Sequence, residues 1–126
     1  MVQIWKPKEL NTFETEWGFS CMSYEISGAL GIKMAKPDQD VIVFVGDGSY
    51  LLQNSDIYSS VLYDKKLIIV VCDNGGHMVI NRLQLAKGGN EYLCNLNAAR
   101  ATNVQFVDFE AHAKSCLLYT SDAADD

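Results

Sequence analysis

A chain of 126 residues, 48% hydrophobic and 21% charged, has material for one compact domain and the composition of neither a disordered nor a fibrous protein. Its formal net charge of −6, with no Lys/Arg cluster, excludes the basic surface on which binding to nucleic acid or an anionic membrane depends. The longest apolar runs, 41–45 (VIVFV) and 67–72 (LIIVVC), are far too short to cross a bilayer.

Residues 1–15 show little periodicity and are expected to be an interdomain connector. The spacing then predicts a helix over 23–36, with Ile26, Leu30 and Met34 on one face and Pro37 ending it. Gly28 and Gly31 lie inside this helix, where each costs about 1 kcal/mol relative to Ala. Their shared face is expected to admit close approach of a neighbour. Residues 41–45 read as a strand buried on both faces, followed by a turn at 46–48. A helix is expected over 52–64, capped by Asn54 or Ser55, with Ile57, Val61 and Leu62 facing inward. A second buried strand covers 67–72, and 73–76 (DNGG) breaks the pattern. A short helix over 79–87, a loop over 88–97, a third strand over 104–107 and a helix from 108 to 115 follow. Strands alternating with helices predict an α/β fold, a parallel sheet flanked by helices, truncated at both ends.

The last residues, 116–126 (CLLYTSDAADD), lose their apolar content abruptly and resemble the translation of a transposon-type sequencing adaptor. They are expected to be a non-native tail. Cys21, Cys72, Cys94 and Cys116 form no CxxC pair and match no zinc spacing. Four unpaired thiols and no signal segment fit a cytoplasmic protein.

Asp47 and Asn74 carry the chemistry. Both directly follow a buried strand, and they are separated by one crossover's worth of chain. A right-handed crossover brings the strands parallel, so both residues fall just beyond the carboxyl ends, where open α/β sheets bind ligands. Asp47 offers a carboxylate oxygen and Asn74 an amide oxygen. Gly75 and Gly76 free the backbone, so a main-chain carbonyl can turn inward as well. Three hard oxygens suit Mg²⁺, completed by phosphate and water. The N–H groups of the helix after Gly48 attract a diphosphate, Gly48 permits close approach, and Ser49 can donate a hydroxyl. Taken singly, a GDG or a DNGG is usually only a turn; their joint placement is the specific signal.

The strings 46–53 (GDGSYLLQ) and 70–76 (VVCDNGG) resemble the cofactor motif of thiamine-diphosphate-dependent enzymes. The resemblance implies a thiamine-diphosphate-binding fold over 16–115, with thiamine diphosphate held through Mg²⁺ by Asp47, Asn74 and the Gly76 carbonyl. Gly46, Gly48 and Ser49 belong to the same diphosphate-binding motif. The family often has Asn at both positions where this chain has Asp73 and Asn74; the second is the ligand. The segment 21–31 (CMSYEISGALG) is similar to the one carrying the bulky apolar residue under the bent cofactor, which implies that role for Met22. His77, three positions after Asn74, is a candidate contact to cofactor or substrate.

Within the family, 16–35 (EWGFSCMSYEISGALGIKMA), 45–56 (VGDGSYLLQNSD) and 73–84 (DNGGHMVINRLQ) resemble the branch that cleaves the ring carbon–carbon bond of a cyclic 1,2-dione in myo-inositol breakdown. This implies a hydrolase with a small-molecule substrate, working as a homo-oligomer of at least two subunits. The glutamate that activates the cofactor lies in another domain in this family, and no residue here matches its motif. Catalytic residues are therefore expected to be absent and the isolated chain inert. Glu25 is expected on the helix surface or as a polar group behind the site. His112 is expected on a helix surface, Asn81, Arg82 and Gln84 on a helix surface or, as the alternative, against substrate, and Tyr50 either beside the diphosphate or in the core. The competing readings are an acetolactate-synthase-like or decarboxylase-like thiamine enzyme, a non-catalytic α/β nucleotide-binding module, and a chain that does not fold stably alone. No GxGxxG follows a strand, which counts against a dinucleotide site.

Overall fold

A computed structural model describes residues 5–98 and 106–116. Strand β1 (Ile42–Gly46) and strand β2 (Ile68–Cys72) pair in parallel, in register from Ile42 opposite Ile68 to Gly46 opposite Cys72. Helix α1 (Tyr24–Ala35) precedes them and packs on β1. The crossover between the strands is two helices, α2 (Asp47–Leu52) and α3 (Ser55–Leu62). Helix α4 (Met78–Ala86), a 3₁₀ turn (Leu96–Ala98) and helix α5 (Phe109–Ser115) follow. Ile26, Ala29, Val43, Val45, Tyr50 and Ile57 form the core between α1, the crossover and the sheet.

Several expectations are corrected. The segment 46–48 is not a free turn. Gly46, the last residue of β1, keeps an extended ψ of 153°, and Asp47 is already helical. The strand thus passes directly into a helix. The helix expected over 52–64 is α3, with Asn54 at its cap as expected though without a side-chain capping bond, and the correction is that a separate helix, α2, ends at Leu52 just before it. Ile57 is fully buried, whereas Leu62 is exposed. Ser60 takes the inward position and returns its hydroxyl to the Ile57 carbonyl at 2.7 Å.

In α1 the buried face runs through Ile26, Ala29, Leu30 and Lys33, and Met34 is exposed. An α-helix repeats every 3.6 residues, so a strict four-residue step drifts off the buried face. The Lys33 ammonium is satisfied by the Gln39 carbonyl at 2.6 Å. Among the described residues, the two α1 glycines admit no neighbouring element. Gly28 faces the ring of Tyr24 from the same helix, and nothing lies within 4 Å of a Cβ at Gly31.

The strands are buried on one face only. Val43 and Val45 point into the core, while Ile42, Phe44, Ile68 and Val70 are 38–50% exposed. Alternation follows from the two-residue strand period, because the described helices cover a single face. Trp5 lies against Phe44 on the other face, with ring centroids 6.3 Å apart.

Of the expected third strand, 104–105 lie outside the described residues, and Phe106 and Val107 are irregular. The tail from 117 onward is likewise outside them. Cys116 caps α5 and packs against the core. All four cysteines are unpaired.

Candidate functional site

The direct passage from β1 into α2 buries Asp47 at the carboxyl end of the sheet, 4% exposed. Its Oδ2 accepts the Gly76 N–H at 2.6 Å, and its Oδ1 is buried without a partner among the described residues. Gly76 comes from the segment after β2. Its φ of +131° suits glycine alone, and a Cβ there would fall against the Cys94 carbonyl.

The segment is pinned from both sides. The Asp73 carboxylate accepts the Gly75 N–H at 3.0 Å. The Gly75 carbonyl accepts from Leu96 N–H at 2.9 Å, and the Cys94 carbonyl accepts from His77 N–H at 2.7 Å. The Gly76 carbonyl accepts from Met78 N–H at 3.0 Å, which leaves one lone pair free. The sequence reads 88–97 only as a loop; no local signal marks Cys94–Leu96 as the brace for this turn.

A groove of about 910 Å³ opens at this edge and runs back along β1 as far as Gln39 and Asp40 at its other end. Met22, Gly46, Asp47, Gly48, Ser49, Asn74, Gly76 and His77, the eight residues expected to bind the cofactor and its metal, all line it. Met22 and Asn74 are exposed there. Ser49 is buried and its carbonyl accepts the Ser23 hydroxyl at 2.8 Å, tying the start of α1 to α2. A second cavity of about 280 Å³ shares Asp47, Gly48, Gly76 and His77 and continues under Leu93, Phe106 and Phe109. His77 lies between the two. Its ring packs over Gly48, and its Nδ1 is buried without a partner.

Other candidates land differently. Tyr50 is core, 2% exposed, and lines neither cavity. Its hydroxyl is 2.9 Å from Nδ1 of His112, which is half-buried rather than on the surface. Burial raises the Tyr50 pKa above its ordinary value, and the Cys116 thiolate adds to the shift. Asn81 is buried, not on the helix surface, and donates to Glu91 at 3.2 Å. Gln84 is half-buried with Oε1 unpaired, and Arg82 is exposed. Glu25 is half-buried and lines the groove.

Among the described residues no three His, Cys, Asp or Glu side chains cluster as a metal site. A hard cation here would draw on one carboxylate, one amide and one carbonyl instead. The orphaned Asp47 Oδ1 fits that use, because a buried acceptor without a donor is costly and a cation satisfies it. No helix among the described residues is long and apolar enough to cross a membrane.

The sequence profile described as "Thiamine pyrophosphate enzyme, C-terminal TPP binding domain" matches residues 1–124. The chain belongs to this family, whose domain binds thiamine diphosphate. Its relatives include the 3D-(3,5/4)-trihydroxycyclohexane-1,2-dione hydrolase of Shouchella clausii, 45% identical over 97 residues, which are 77% of this chain and 15% of that protein. The protein of the same name from Bacillus subtilis is 42% identical over 92 residues, 73% of this chain and 14% of that one. The chain thus spans about 15% of the length of the curated relatives it matches. In fold it is similar to the thiamine diphosphate-dependent 4-hydroxybenzoylformate decarboxylase of Rhodococcus jostii RHA1, with a TM-score of 0.59 at 21% identity over 75% of this chain and 17% of that one.

Proposed function

We propose that this chain is the cofactor-anchoring segment of a longer thiamine-diphosphate-dependent hydrolase, which opens the ring of a cyclic trihydroxy 1,2-dione in myo-inositol catabolism. The observation that carries the reading is the buried, unpartnered Oδ1 of Asp47, at the same sheet edge as Asn74 and the Gly76 carbonyl. These three would ligate Mg²⁺. Gly46, Gly48 and Ser49, at the N-terminal turn of α2, would take the diphosphate. Met22 would lie under the bent cofactor, and His77 would contact it from α4's start. Similarity to the dione hydrolases supports the substrate class.

Bound thiamine diphosphate supplies a nucleophilic carbon and then an electron sink. This chain's own residues bind and orient. Met22 would pack against the cofactor and help hold its reacting groups within reach, a proximity effect, and Asp47 would hold the anionic end only through the cation it ligates. The activating glutamate would come from another domain, and the working enzyme would be a cytoplasmic homo-oligomer of at least two subunits. Within this chain, 1–15 would connect to a preceding domain, 16–115 would bind cofactor and 116–126 would be foreign. The isolated chain would then be inert, and measurable dione cleavage by it would refute that part.

The experiment is a thermal shift. Stabilisation by thiamine diphosphate that appears only with Mg²⁺ supports the reading. No shift with both present, or a shift with a nucleotide or flavin instead, overturns it.

A further inference from the structure

Glu25 is the second residue of α1, three positions beyond Met22, and lines the same groove as Asp47 and Asn74. Its Oε2 is buried, and no donor of the described residues meets it. A carboxylate oxygen left unpaired away from water is destabilising, so a residue held in this state at a groove wall is suited to a partner that arrives with the ligand. The last torsion of a glutamate is soft, and Oε2 can turn to meet a donor in the groove at little cost.

The chemistry of that donor is constrained. Glu25 brings negative charge and so repels a phosphate that lacks a cation. The neighbouring groove wall on α1 adds Gly28, Ala29 and Ile32, none with a side-chain donor, and Tyr24, whose hydroxyl makes no hydrogen bond to Oε2. We propose that Glu25 is a ligand-contacting residue whose carboxylate accepts a hydrogen bond from an uncharged N–H or O–H donor in the groove. This rests on the functional reading above. Under it, the donor is either the ring amino group of thiamine diphosphate or a hydroxyl of the polyhydroxylated dione.

The competing role for Glu25 is purely local, since an acidic residue in the first turn favours a helix. Two substitutions in the full-length protein separate the roles. Glu25→Gln removes the charge and turns an amide N–H toward the donor. Glu25→Asp keeps the first-turn charge and shortens the reach. Calorimetry gives the dissociation constant for thiamine diphosphate with Mg²⁺, and steady-state kinetics give KM for the cyclic dione.

Loss of a charge-assisted hydrogen bond corresponds to about a tenfold change. A tenfold weaker cofactor constant in both variants assigns the donor to the cofactor. An unchanged cofactor constant with a tenfold higher KM in both assigns it to the substrate. Either supports the proposal. Both parameters unchanged in Glu25→Asp overturns it, whatever happens to the stability of Glu25→Gln. Absence of Mg²⁺-dependent cofactor binding in the unaltered protein would instead sink the functional reading, so the two failures are distinguishable.

Discussion

Asp47 reaches across the sheet edge to Gly76, its Oδ2 accepting the glycine N–H at 2.6 Å while its Oδ1 is left without a partner. One oxygen of this carboxylate locks the turn after β2; under the proposed function the other would meet the cation. Asp47→Asn should keep the fold, because the amide oxygen still accepts from Gly76. It should abolish the Mg²⁺-dependent part of the thermal shift with thiamine diphosphate. A variant whose shift matches the unaltered chain would show that Asp47 holds no cation.

Gly48 and His77 make a second pair that can be tested without any ligand. A Cβ at Gly48 would collide with the His77 ring. Gly48→Ala should therefore destabilise by about 1–3 kcal/mol in urea denaturation, as overpacking does. Combined with His77→Ala, the same change should become stabilising by several tenths of a kcal/mol or more, because alanine is the better helix former. The reversal of sign is the diagnostic. A Gly48→Ala cost that persists without the imidazole would place its origin elsewhere.

The sheet edge was legible because Asp47 and Asn74 each follow a β-branched apolar run, and a single crossover leaves little choice about where the next strand lies. What was not legible depends on partners far away in the chain. Gly46-Asp47-Gly48 has turn composition, yet the extended backbone of Gly46 lets β1 enter α2 without a loop. Asn81 looks like helix surface until Glu91, from an unpatterned loop, is folded over it. The runs 41–45 and 67–72 read as buried on both faces because hydrophobicity reports what a strand can bury, while exposure here reports which face the described helices cover.

Two glycines should respond to alanine in opposite directions. At Gly76, the φ of +131° and the Cys94 carbonyl leave no room for a Cβ, and the obstacle is backbone that cannot swing aside. Gly76→Ala should cost about 3 kcal/mol or more, combining strain with loss of the Asp47 contact. At Gly31, mid-helix with open space around it, alanine should stabilise by about 0.5–1 kcal/mol. Denaturation midpoints of the two variants should bracket that of the unaltered chain. A destabilising Gly31→Ala would reveal a neighbour packed on α1.

Tyr50 makes stability depend on alkaline pH. Burial raises its pKa above the ordinary 10.0, so the folded chain holds the phenolic proton more tightly than the unfolded one. By linkage, this contribution is intact below about pH 10 and is lost as pH rises through the raised folded value. Tyr50→Phe removes that ionisation and also the contact with His112, costing about 1 kcal/mol near neutrality. The stability gap between the two chains should therefore narrow above pH 10, and the other tyrosines cancel in the difference. Urea denaturation at pH 8, 10 and 11 reads it directly. A gap that stays constant over that range would mean that Tyr50 ionises as freely in the folded chain as in the unfolded one.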